Sequence, residues 1–184
     1  RAPIFFVTSV DILSVFIYLY IVWFFHADLL ITKIINAQSV NAQTISPSII
    51  YAPSFGGLCL DISNPGLKGP RSGAPVLGYT CSGANNQLFQ RGADGTIRAP
   101  SFGGLCLDIS NPGLKGPRSG APVLGYKCSG ANNQLFEWRA DGTIPAPYFG
   151  GLCLDISNPG LKGPRSGAPV LGYKCSGGDN QRFF

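Results

Sequence analysis

Histidine and glutamate are almost missing from this chain, and methionine is absent altogether. Among 184 residues the one histidine is His26 and the one glutamate is Glu137. Without histidine past position 26 no Ser-His or Cys-His nucleophile can form there, nor a zinc site with histidine ligands. No G-x-S-x-G, H-E-x-x-H or P-loop occurs either. The aspartates recur symmetrically, unlike a catalytic pair, so the chain reads as non-enzymatic. Charge is scarce as well: charged residues make up 12 % and the formal net charge is +5. The basic residues form no run and do not interleave with aromatics, which argues against nucleic acid and gives only a faint lean toward acidic partners. No cofactor is implied.

Long apolar runs are also missing, with one exception. Ile12 to Phe25 reads ILSVFIYLYIVWFF, bounded by Asp11 and His26. That is short for a membrane span, which needs about 20 residues, but it suits the apolar region of a signal peptide. Cleavage is expected after Ala37 or Ala42, and a retained membrane anchor is the alternative. The absence of methionine and the single leading cation, Arg1, depart from a standard signal peptide, and a truncated leader or a misread gene end are the readings that fit them. Residues 1–42 are therefore expected to be a hydrophobic leader of helical composition, and 43–184 a secreted domain that meets a membrane only if the leader is kept.

What is abundant past the leader is Gly, Pro, Ser and Asn, the texture of a turn-rich all-β protein. Six cysteines stand at 59, 81, 106, 128, 153 and 175. Their even number and regular spacing point to disulfides, and the lack of any C-x2-C pair disfavours zinc. The stretch APSFGGLCLDISNPGLKGPRSGAPVLGY opens at Ala52 and Ala99 and, with Tyr148 for Ser101, again at Ala146, so the period is 47 residues. Three units are too few for a propeller. Taking Ile50, Ile97 and Ile144 as starts gives repeats of 50–96, 97–143 and 144–184. In the middle one, four strands are expected near Thr96–Ala99, Leu105–Ile109, Pro122–Cys128 and Gln134–Trp138, with turns at Asn111-Pro112-Gly113, Gly116-Pro117 and Ala140-Asp141-Gly142. Three four-stranded units closed about a pseudo-threefold axis make a β-trefoil.

The ordered set G-L-C-L-D-I, a second cysteine after an apolar-aromatic strand, N-Q-x-aromatic and D-G-T-I resembles the ricin B-chain lectins. That family carries the Q-x-W repeat and is kin to the family 13 carbohydrate-binding modules. The resemblance spans roughly Ile50 to Phe184. It implies a lectin for galactose-type or related glycans, with up to three shallow sites and glycans or glycoproteins as partners. It places the sugar on Asp61, Tyr79 and Asn86, on Asp108, Tyr126 and Asn133, and on Asp155, Tyr173 and Asn180. It makes Gln87, Gln134 and Gln181 structural and puts Phe89, Phe136 and Phe183 in the core where tryptophan is usual. The chain departs from the family in Leu77, Leu124 and Leu171, where a polar residue is common, and in tyrosine rather than tryptophan as the platform.

Strand geometry leads to the same residues independently. Leu58, Leu60 and Ile62 alternate with Cys59 and Asp61, so the last two share the face away from the core. If Cys59 bonds Cys81 across an antiparallel pair, Asp61 lies opposite Tyr79, and likewise Asp108 opposite Tyr126 and Asp155 opposite Tyr173. A pyranose fits such a pair: its hydroxyls donate to the carboxylate and its C–H face covers the ring. The duller readings are aspartates that cap turns and tyrosines that merely pack. Near-identical units should each solve their cysteine pairing locally, giving Cys59–Cys81, Cys106–Cys128 and Cys153–Cys175. The Lys-Gly-Pro-Arg stretches (Lys68/Arg71, Lys115/Arg118, Lys162/Arg165) are expected to be solvated hairpin tips. Rival readings are a binding module of a larger hydrolase or toxin, and a structural or protein-binding trefoil with vestigial sites.

Overall fold

The structure, a computed structural model, describes residues 46–63, 69–110, 116–157 and 163–184. The leader, the Asn-Pro-Gly turns and Lys68, Lys115 and Lys162 lie outside the described residues. No helix among the described residues is long and apolar enough to cross a membrane.

The rest is β-structure in three equivalent units. The first holds strands β1 (Tyr51–Ala52), β2 (Leu58–Ile62), β3 (Ala74–Tyr79) and β4 (Gln90–Arg91), with a 3-10 turn at Asn85–Gln87. The second holds β5 (Ile97–Ala99), β6 (Leu105–Ile109) and β7 (Ala121–Tyr126), with a 3-10 turn at Asn132–Gln134. The third holds β8 (Pro145–Ala146), β9 (Leu152–Ile156) and β10 (Ala168–Lys174), with a 3-10 turn at Asp179–Gln181. Period-two alternation decides which way each strand faces. In β3, Ala74, Val76 and Gly78 are buried while Pro75 and Tyr79 are exposed. Leu60 opposes Gly78 and Ile62 opposes Val76, so these residues line the core side of the β2–β3 hairpin.

The three hairpins β2–β3, β6–β7 and β9–β10 meet about a pseudo-threefold axis through their second strands. Ala74 pairs with Gly125, Ala121 with Gly172, and Ala168 with Gly78. Each second strand is thereby bonded on both sides, which removes the exposed edges a free hairpin would offer. A glycine near the end of each second strand makes the approach possible. A methyl carbon on Gly78 would lie 2.6 Å from Ile156 Cγ2, on Gly125 2.7 Å from Ile62 Cγ2, and on Gly172 2.6 Å from Ile109 Cγ2. The isoleucine of each unit thus fills the space opened by a neighbour's glycine, in a cycle.

A second ring of contacts joins the unit ends. Phe89, Phe136 and Phe183 are buried, and their amides donate to Ser48 O, Gly95 O and Gly142 O at 2.8 Å in each case. Phe184 and Tyr51 exchange backbone bonds of 2.9 and 3.0 Å, bringing the two ends of the described fold together.

Two expected strands come out differently. The expected strand Gln134–Trp138 is not one: Gln134 closes the 3-10 turn, and Glu137 N–H donates to Pro145 O at 2.9 Å. Pro145 has no N–H to return the bond, whereas in the first unit Arg98 stands at that position and pairs with Gln90. The third strand ends at Tyr126 rather than Cys128; Lys127 N–H donates to Ser72 Oγ at 3.1 Å and its carbonyl accepts from Gln134 Nε2 at 3.0 Å, while the equivalent strand of the third unit, with the same two bonds, runs one residue further to Lys174.

Candidate functional site

The three disulfides are Cys59–Cys81, Cys106–Cys128 and Cys153–Cys175, each with Cα atoms 5.1 Å apart. They do not link opposed residues, and this corrects the register expected from the sequence. Cys59 faces Tyr79, and Asp61 faces Leu77 rather than Tyr79. The same holds for Asp108 against Leu124 and for Asp155 against Leu171. Cys81 lies past the end of β3, where Thr80 N–H has already turned to Ser166 Oγ, 3.1 Å away. A two-residue offset keeps the face, since side chains alternate with period two. Asp61 and Tyr79 are therefore diagonal neighbours on one face, a spacing of about 7–8 Å between backbones in a regular sheet.

Burial divides the pair. Asp61, Asp108 and Asp155 are 8 %, 8 % and 7 % exposed, while Tyr79, Tyr126 and Tyr173 are each 47 % exposed. The aspartate forms the floor and the tyrosine the rim. The floor is held by Gln87, itself 1 % exposed. Its Nε2 donates to Asp61 Oδ2 at 2.9 Å and to Thr80 O at 3.0 Å. Its Oε1 accepts from Ser82 N–H at 2.7 Å and Gly83 N–H at 3.2 Å. Gln134 and Gln181 repeat the arrangement, reaching Asp108 Oδ2 and Asp155 Oδ2 at 2.8 Å. One amide thus fixes the carboxylate and the loop above it, leaving none of its own polar atoms unpaired.

Asn86, Asn133 and Asn180 sit beside the carboxylates, half-buried. Their Nδ2 atoms donate to Ile62 O, Ile109 O and Ile156 O at 3.3, 3.3 and 3.4 Å. Burial raises the pKa of all three aspartates above the usual carboxylate value. Hydrogen bonds from the glutamine and then the asparagine partly offset this. The result is a buried acceptor that a ligand with several hydroxyls can satisfy. Among the described residues no cluster of His, Cys, Asp or Glu could hold a metal ion.

The tyrosines do not stand alone. A methyl carbon on Gly167 would lie 4.0 Å from Tyr79 Cε2, and one on Gly120 3.9 Å from Tyr173 Cε2. The loop that carries Arg165 or Arg118 in one unit thus flanks the platform of the next. Arg71, Arg118 and Arg165 are exposed, as hairpin tips would be, yet their loops also serve as contacts between units. Sequence reasoning missed this seam. Its signal was Gly103 in Phe-Gly-Gly-Leu, which adopts φ 67° and comes within 2.7 Å, measured from a built methyl carbon, of Pro70 Cβ in the preceding unit.

One further concavity breaks the threefold pattern. Arg91 lies over the Trp138 ring, its guanidinium carbon 3.1 Å from the centroid. Ile97, Phe136 and Ile144 supply the apolar part of the remaining walls of a cavity of about 150 Å³.

The fold and the triplicate Asp-Tyr-Gln arrangement define a lectin-type trefoil. Residues 49–183 match the model of the ricin-type beta-trefoil lectin domain, and the chain belongs to that family. No curated protein matches it. Among solved structures it is similar to the designed threefold-symmetric protein ThreeFoil, with 31 % identity, a TM-score of 0.59, and 75 % of this chain and 95 % of that one covered. It is similar in fold to the C-half of the earthworm R-type lectin in complex with GalNAc, at 21 % identity and a TM-score of 0.55, covering 76 % of this chain and 96 % of that one. The agglutinin from Abrus precatorius gives 23 % identity and a TM-score of 0.59, covering 78 % of this chain and 49 % of the other.

Proposed function

We propose that this chain is a non-catalytic, secreted lectin that binds glycans at three equivalent shallow sites. The sites are Asp61, Tyr79 and Asn86, then Asp108, Tyr126 and Asn133, then Asp155, Tyr173 and Asn180. The observation that carries the reading is the pairing of a glutamine-held buried carboxylate with a half-exposed phenol ring on the same face of one hairpin, three times over. A sugar laid on the ring would gain apolar contact at low rotamer cost, and its hydroxyls would donate to the carboxylate in charge-assisted bonds. Galactose-type sugars are the first candidates, since GalNAc is bound in the earthworm lectin structure and N-acetyl-D-lactosamine in the Vibrio vulnificus cytolysin lectin structure. Each site is small and open, so strength comes from occupying several sites on one glycan-bearing surface.

The test is a glycan array probed with the disulfide-intact chain and with Tyr79→Ala/Tyr126→Ala/Tyr173→Ala. Retained binding by the first and loss by the second is expected, with unchanged melting, because these rings are solvent-exposed. Silence across all sugars by the folded parent chain would favour a structural trefoil with vestigial sites. A second reading, a binding part of a larger protein, draws support from the Abrus agglutinin match, which takes up about half of that chain.

A further inference from the structure

The third repeat differs from the other two beside its platform. Where the first two carry Ser54 and Ser101, it carries Tyr148. This side chain is 69 % exposed, more than any other large hydrophobic residue among those described. It lies in the turn between β8 and β9. The turn is anchored by Phe149, which packs on the core and whose N–H donates to Ala146 O at 3.0 Å, and by Gly151 N–H to the same carbonyl at 3.1 Å. Phe149 takes the inward position, so Tyr148 contributes nothing to the core. Tyr148 is thus a large, rigid aromatic surface on a fixed turn, left available to a ligand with an apolar face.

Three contacts set the turn beside the Tyr173 site. The carbonyl of Gly151 lies 3.0 Å from Cys175 Sγ, two residues past Tyr173. Pro145 and Tyr173 both pair with Cys153, one from each side, so the three form a row across the sheet. The turn and the platform also abut a single loop of the second unit. A methyl carbon on Gly150 would lie 2.7 Å from Pro117 Cβ, and one on Gly120 3.9 Å from Tyr173 Cε2. Pro117 and Gly120 are three residues apart, at most about 11 Å between Cα atoms. The turn that carries Tyr148 and the platform Tyr173 therefore border one short loop, and only in this unit does that turn carry a tyrosine.

We propose that the third repeat holds an extended site, in which Tyr173 carries one sugar ring and Tyr148 receives a following one. This rests on the sugar-binding reading above and deepens it: the ligand of this site is a chain of two or more sugar units, while the first two sites recognise a single terminal unit. Tyrosine suits the role because it offers large contact area with few rotatable bonds.

The experiment isolates the third site in a Tyr79→Ala/Tyr126→Ala background. Calorimetry then compares GalNAc with a tetrasaccharide of two N-acetyl-D-lactosamine units. Tyr148→Ser, which restores the residue of the other repeats, is expected to lower the tetrasaccharide affinity several-fold relative to that for GalNAc. In a chain whose second site alone is kept, Ser101→Tyr is expected to raise the same ratio. An unaltered ratio in Tyr148→Ser, with both sugars still bound, would overturn the extended site alone. Failure of the unmutated chain to bind either sugar would overturn the sugar-binding reading, and this inference with it.

Discussion

Two side chains with opposite needs stand side by side in each unit. The aspartate is withdrawn from water and the tyrosine left in it, and the glutamine between backbone and carboxylate keeps them so. Because burial raises the pKa of Asp61, Asp108 and Asp155, the charged form is disfavoured by folding. The linkage has a definite sign. Between the ordinary carboxylate value of 3.8 and the higher folded value, the native state holds more protons than the unfolded one, so acidification through that window stabilises the fold on account of these groups. The proposed sugar binding runs the other way, since the charge-assisted bonds from hydroxyls need the ionised carboxylate, and protonation leaves a weaker acceptor with an O–H in place of one lone pair. Affinity should therefore fall as pH drops toward the raised pKa while the melting temperature holds. Asp108→Asn, which keeps an oxygen for Gln134, should mimic the acid form at neutral pH in the second site. A lowered melting temperature in Asp108→Asn at neutral pH, with binding at the second site unchanged, would show that the aspartate serves packing.

At the scale of elements, the hairpins depend on glycine where most strands avoid it. Gly125 faces Ile62 of another unit so closely that any side chain must displace it. Gly125→Ala is expected to cost about 1–3 kcal/mol through overpacking, read as a lowered midpoint in urea with little change in slope. A neutral outcome would mean that the three hairpins can part without penalty. Much of this level was legible in advance. The alternation in Leu-Cys-Leu-Asp-Ile gave the core face of β2, β6 and β9, because a half-buried strand leaves a period-two trace. The exact register was not legible. Equal spacing of cysteine, aspartate and tyrosine suggested directly opposed pairs, but register is fixed by where the chain leaves the sheet. Contacts across unit boundaries decide it, among them Ser72, Ser119 and Ser166, which accept from the amides of Lys127, Lys174 and Thr80 of other units. Nor could the missing fourth strand of the middle unit be foreseen without knowing that Pro145 would be asked to return a bond.

For the whole molecule, the repeat is the structural unit and, in the function proposed, the unit of binding, and neither is complete alone. Each platform is flanked by a neighbour's loop and each core isoleucine enters a neighbour's glycine gap, so the three sites form only when the ring closes. The near-identity of the copies made threefold closure readable from the sequence, whereas the seams between units were not, since periodicity within a repeat says nothing about what lies across its boundary. The most direct measurement is a crystal of this chain soaked with GalNAc and N-acetyl-D-lactosamine. The account expects a sugar ring stacked on Tyr79, Tyr126 and Tyr173, with hydroxyls directed at Asp61, Asp108 and Asp155. Sugar density confined to the Arg91–Trp138 cavity, with all three platforms bare, would contradict it.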